Sequence, residues 1–136
     1  MAETGTATRI TKVGAVMVPV SDQDRAIEFF VEKLGFELRS DIAYGEGQRW
    51  VEVAPQGAVT PVALVPPGEG GEVGVMTGIG FDTDDVEADH AALRSRGVDV
   101  DDEILREGDP VPPMFFFRDP DGNHFLIVER QEGRSQ

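Results

Sequence analysis

The chain has no cysteine, so disulfides, thiolate nucleophiles and Cys-ligated zinc are excluded at once. Basic residues are scarce: 12 Lys and Arg stand against 26 Asp and Glu, a net charge of -14. Nucleic acid and anionic membrane are therefore poor partners, because both are held by clustered Lys and Arg that neutralise phosphates. No apolar run approaches the roughly 18 residues of a membrane helix, and no signal-peptide core is evident, so a soluble cytoplasmic protein is the expectation. The only histidines, His90 and His124, stand too far apart to form a metal motif. The acidic runs Asp82–Asp85 and Asp99–Glu103 lack the ligand spacing of a calcium loop, and helix caps and solvated edges account for them. The glycine-rich stretch before Val75 is no phosphate loop, since neither Lys-Ser/Thr nor a strand-to-helix step follows it.

What the chain does have is an internal repeat. Val20-Ser21-Asp22 opens a helical stretch that carries Ala26 and stops at Gly35-Phe36. Farther along, Asp82-Thr83-Asp84 opens a second, which carries Ala88 and stops at Gly97-Val98. Each half then reaches strand-like segments around a Pro-x-Gly turn, Pro55–Gly57 in the first and Pro120–Gly122 in the second. Self-similarity at a fixed offset signals one small unit duplicated, with a cleft between the copies.

The length suits a single domain with its own core. Ala26, Ile27, Phe30, Val31 and Leu34 form an apolar helix face closed by Gly35, and the pattern predicts helices over about 22–34 and 84–96. Strands are expected at 13–18, 36–44, 49–54, 59–65, 76–83, 98–105, 114–118 and 123–129. Each half thus reads strand-helix-strand-strand-strand, with module one at about 10–65, a Pro/Gly joint at 66–74 and module two at about 75–130. The fold class is α+β: two βαβββ modules forming a curled eight-stranded trough with two helices outside. Such a trough exposes apolar sheet, which a ligand or a second subunit, most simply in a homodimer, is expected to cover.

Val20-x-Asp22-x3-Ala26-x2-Phe29-Phe30-x3-Leu34-Gly35-Phe36 resembles the opening of the vicinal oxygen chelate (glyoxalase/bleomycin resistance protein/extradiol dioxygenase) superfamily. Phe117-Arg118-Asp119-Pro120-Asp121-Gly122-Asn123 is similar to its C-terminal signature. The resemblance implies a glyoxalase-like fold over about residues 10–130. In metal-dependent members, His, Gln or Glu from four strands bind a divalent cation. The matching positions here are Ala15, Glu52, Gly78 and Leu126, of which only Glu52 can ligate. An open catalytic metal site takes about three protein ligands, so no metal or other cofactor is expected.

Alternation with Val51 and Val53 turns Trp50 and Glu52 toward the trough. Glu52 is the candidate catalytic residue, as a ligand-gripping carboxylate or general base; the alternative is a rim carboxylate bridged to Arg49 or Arg39. His124, on one strand face with Leu126, could meet ligand polar groups. Met17, Phe115 and Phe117 complete the expected lining, with Phe117 at the repeat-equivalent place of Glu52, and Met114 and Phe116 are expected in the core. These aromatics either face a flat apolar ligand or fill the trough themselves. His90 and the turn residues Asp119 and Asp121 read as surface and structural. Three functions fit: a module sequestering an apolar or aromatic compound, as the drug-binding, antibiotic-resistance members of the superfamily suggest; a lyase, isomerase or dioxygenase using Glu52 as acid/base or metal ligand; or a subunit with an occluded trough.

Overall fold

A computed structural model of the chain describes residues 7–68 and 72–130. β1 (Val16–Pro19) leads into α1 (Gln23–Glu28), which continues as a π-helical stretch over Phe29–Lys33. β2 (Glu37–Tyr44), β3 (Gln48–Ala54) and β4 (Val62–Val65) finish the first module. The second repeats the order with β5 (Met76–Thr83), α2 (Val86–Ser95), β6 (Asp99–Val100), β7 (Met114–Arg118) and β8 (His124–Glu129). The joint's residues 69–71 lie outside the described residues.

Local chemistry sets the element ends. Asp22 and Asp85 cap the two helices, their side chains accepting from the backbone N–H groups of Arg25 at 3.1 Å and Ala88 at 3.0 Å. Gly35 ends the first helix at φ +79°, a conformation that glycine adopts without a Cβ clash. The expected α-helix over 22–34 changes period after Glu28, and both adjacent rings, Phe29 and Phe30, are buried. β4 starts at Val62 rather than Val59, since Pro61 has no N–H to give the ladder. The strand expected over 98–105 shortens to Asp99–Val100, with one isolated bridge farther on between Leu105 and Met114. Its ladder stops where the Asp101 carboxylate takes the N–H of Phe116 and the guanidinium of Arg118.

Both sheets have the same order, β1-β4-β3-β2 and β5-β8-β7-β6, with the first strand of each module parallel to its fourth. The duplication read from sequence is therefore a duplication of topology, and the eight strands divide into two four-stranded sheets. One face of each sheet is buried in a common core: Val51, Val53 and Leu64 from the first, Phe115, Phe117, Phe125 and Ile127 from the second. The first helix reaches across, with Phe29 6.3 Å from Phe117 and Phe30 5.6 Å from Phe125, centroid to centroid. Phe36 meets Phe81 edge-on at 5.3 Å. The opposite face of each sheet is left open.

Polar ties hold the modules in this relation. Asn123, fully buried, accepts from the N–H groups of Gly74 at 2.8 Å and Val75 at 2.9 Å. Its amide donates to the Pro19 carbonyl and to Asp119, both at 2.9 Å. Asp121 accepts from the Ser21 hydroxyl at 2.6 Å and from Arg25 at 3.0 Å. At the far end Lys33 donates to the Arg96 carbonyl at 2.8 Å and Arg96 to the Lys33 carbonyl at 2.7 Å. Asn123→Ala strands several buried polar groups, each costing about 1–3 kcal/mol, so urea denaturation should show a loss of at least ~3 kcal/mol. A variant as stable as the parent would show that the network is incidental.

Candidate functional site

The open face of the first sheet is built by strand alternation. Val51 and Val53 are buried, so Trp50 and Glu52 project from the other side of β3. Pairing register sets Glu52 between Ser40 and Ala63, with Met17 next to Ala63, and sets Ile42 beside Trp50. The Trp50 indole Nε1–H donates to Glu52 Oε2 at 2.8 Å, both side chains being half-buried. Arg49 turns instead to Asp24 at 3.0 Å and Asp41 at 2.9 Å, and Arg39 to Glu37 at 3.1 Å. Among the described residues Glu52 therefore has no ion-pair partner, and its neighbour is an aromatic donor. The Arg49 hydrogen bond holds the Asp41 carboxyl below the usual carboxylate range, against a smaller opposing effect of burial.

The open face of the second sheet carries Met114, Phe116, His124, Leu126 and Val128. Phe116 pairs with Leu126, and Arg118 with His124. The His124 ring donates its Nδ1–H to the Gly122 carbonyl at 3.1 Å. Arg118 is clamped between Asp99 at 2.8 Å and Asp101 at 2.7 Å.

Two expected lining residues are not on these faces. Phe115 and Phe117 are fully buried against Phe29, Phe81, His90 and Phe125, on the core side of the sheet. Met114 and Phe116, expected in the core, are half-buried on the open side. The reversal is a one-residue parity error, which in a strand exchanges every side chain between faces. Glu52 pairs with Ala63 and Phe116 with Leu126, so Phe116 is the repeat equivalent of Glu52. The signal was present in sequence: the Asp119–Asn123 turn pairs Arg118 with His124, which aligns Phe116 with Leu126. Met17, Trp50, Glu52, His124 and Leu126 do stand on open faces, but on two sheets, and Glu52 and His124 do not touch. His90, expected on the surface, is half-buried, its Nε2 2.7 Å from the Asp101 carbonyl.

The positions that the resemblance gives to metal ligands are occupied by Ala15, Glu52, Gly78 and Leu126. Ala15 and Leu126 carry no ligating atom. Gly78 sits at φ +75°, where any L side chain would be strained. Glu52 is the remaining donor, and among the described residues no group of three or more His, Cys, Asp or Glu could hold an ion. No helix among the described residues is long and apolar enough to cross a membrane.

Two like modules, each with one sheet face in a common core and the other open, define a paired βαβββ protein. The chain belongs to the Glyoxalase/Bleomycin resistance protein/Dioxygenase superfamily, whose family model matches residues 12–127. It is 35% identical over 124 residues to protein YetH of Bacillus subtilis (strain 168), covering 88% of this chain and 99% of that one. Among solved structures it is similar to TnmS3, an antibiotic binding protein from Streptomyces sp. CB03234, at 39% identity and TM-score 0.80, covering 92% of this chain and 100% of that one. It is also similar to a superfamily member from Sphaerobacter thermophilus DSM 20745, at 36% identity and TM-score 0.84, covering 90% and 100%.

The Arg118 clamp gives a pH-dependent outcome. Its hydrogen bond to Asp99 lowers that carboxyl's folded-state pKa, with partial opposition from burial. A depressed carboxylate stabilises the fold above its unfolded value of about 4, and that contribution is lost as pH falls through the folded value. Asp99→Asn should therefore denature at lower urea than the parent at pH 6, and the two midpoints should converge as the pH is lowered through the folded-state value, which lies below the usual carboxylate range. A gap that stays constant across this range would show that Asp99 contributes nothing through its charge.

Proposed function

We propose that the protein binds and sequesters an apolar or aromatic small molecule on its open sheet faces, without a metal. The carrying observation is the Trp50–Glu52 pair: a half-buried indole and a carboxylate with no cationic partner, standing on a face that also bears Met17 and Ile42. The indole offers a flat stacking surface, and the carboxylate keeps acceptor capacity for a ligand hydroxyl or ammonium. Phe116, Leu126 and His124 supply the matching surface on the second sheet. Phe115 and Phe117 have no part in it, being core residues. The 39% identity to an antibiotic binding protein supports an antibiotic-like ligand and resistance by sequestration.

The open faces also support a homodimer. Met17 is 63% exposed, Ile42 58% and Met76 61%, an apolar surface that a single small chain leaves wet. A second copy laid over these faces would bring both half-sites together and enclose a ligand between them. Light scattering should give a particle of twice 14.8 kDa, and a 14.8 kDa particle at tens of micromolar would remove this part of the reading.

Trp50 is the only tryptophan, so its emission reports on the face directly. Titration with a panel of flat, apolar natural-product-like compounds should change that emission and raise the melting temperature, since ligand binds only the folded state. Phe116→Ala should cost about 1–3 kcal/mol of affinity through lost area and stacking. Glu52→Gln should weaken amine- or hydroxyl-bearing ligands and spare purely apolar ones. If every compound leaves emission and melting temperature unchanged, the sequestration reading fails. Elemental analysis of protein purified without chelators should find no stoichiometric Zn, Ni, Fe or Mn; about one metal per chain, abolished by Glu52→Gln, would overturn the metal-free reading.

A further inference from the structure

A recess of about 360 Å³ opens on the helix side of the second sheet, away from both open faces. Leu34, Phe36, Phe81, Leu93, Phe117 and Ile127 line it. Two half-buried rings face it: Phe36 meets Phe81 edge-on at 5.3 Å, and Phe81 is backed by the fully buried Phe117, stacked at 6.4 Å. One wall is a single face of α2, because Asp89, Ala92, Leu93 and Arg96 recur at i, i+3, i+4 and i+7.

The charges on that wall are unequal in their commitments. Arg96 donates to the Lys33 carbonyl at 2.7 Å. Asp89 is half-buried, and among the described residues its carboxylate has no hydrogen-bond or ion-pair partner, while its backbone N–H donates to the Asp85 carbonyl at 3.1 Å. Arg96 is drawn toward the Lys33 carbonyl, and Asp82 lines the recess as a second carboxylate beside Asp89, so acid outweighs base on the lining; the helix start at Asp84 and Asp85 adds to the negative potential there.

We propose that this recess is a second small-molecule site, separate from the open faces, that takes an aromatic amine of one or two rings. Its volume lies at the small end of ligand pockets, which run from about 300 to 1,000 Å³. The rings supply apolar area and stacking. A protonated amine satisfies Asp89, whereas a neutral ligand would cover that carboxylate without a partner and an anion would be repelled by it. This site does not depend on what binds the sheet faces.

Tryptamine, with tryptophol as its neutral counterpart and indole-3-acetate as its anionic one, tests the assignment on the full chain by amide NMR. Tryptamine should give saturable shifts centred on Gly35, Ala92 and Leu93. It should bind at least about fivefold more tightly than tryptophol, the size expected of one partly exposed charge pair, and indole-3-acetate should bind most weakly. Raising the salt or making Asp89→Asn should close the gap between amine and alcohol, with the apolar part of the affinity retained. Ala92→Leu fills the recess and should abolish binding of all three. Should that variant fail to fold, the Asp89→Asn comparison decides alone. Equal affinity for amine and alcohol, no saturable shift up to about 10 mM, or shifts centred on Trp50 and Phe116 would each overturn the proposal.

Discussion

A buried asparagine with every hydrogen-bonding atom engaged holds the two halves of this protein in register. Asn123 is fully buried and bonds the start of β5, the end of β1 and the turn before β8 together. Buried polar groups impose geometry because a misplaced partner leaves the group unsatisfied at a cost of about 1–3 kcal/mol. The turn is shaped for this. Asp119 accepts from the backbone of Asp121 and of Asn123, and Gly122 takes φ +84°. A Cβ on Gly122 would also lie 3.7 Å from the Gly74 backbone, so the turn and the module joint pass at close contact. Burial raises the pKa of Asp119, an effect its hydrogen bonds partly offset.

With the modules fixed in this way, the first helix can pack its rings on the second sheet. Phe29 and Phe30 enter the core together and meet Phe117 and Phe125. One core then serves both sheets, and each sheet is left with a face outside that core. The open faces are thus a consequence of how the core is closed. Their composition differs from an ordinary solvated sheet face, since Trp50, Met17, Phe116 and Leu126 stand where polar residues would suffice.

The large acidic excess is also more ordered than composition suggests. Asp22 and Asp85 cap helices, Asp24 and Asp41 hold Arg49, and Asp99 and Asp101 hold Arg118. Against that pattern three half-buried carboxylates lack a cation among the described residues: Glu129, which takes the N–H of Val86 at the start of α2, Glu52 on the open face and Asp89 in the helix-side recess. Glu52 and Asp89 each stand beside aromatic surface, Trp50 for the first and the Phe81 side of the recess for the second. Carboxylates in such settings keep their capacity for an incoming donor.

Much of the fold could be read directly from the chain. The duplicated helix signatures, the caps at Asp22 and Asp85, the stop at Gly35 and the Pro-x-Gly turns are local, so their physics acts over a few residues and is visible in them. Glu52 and Trp50 were legible as open-face residues for the same reason, since Val51 and Val53 fix the parity of β3. The faces of Phe115, Phe116 and Phe117 were not assigned correctly, because three consecutive phenylalanines carry no alternation and only pairing with β8 sets their parity. The switch of the first helix to a π-helical stretch, the packing of Phe30 on Phe125 and the engagement of Arg49 by Asp24 and Asp41 belong to the tertiary structure alone. They depend on contacts between elements: Arg49 meets Asp41 and Asp24 once the first module folds, and Phe30 meets Phe125 only where the two modules pack together.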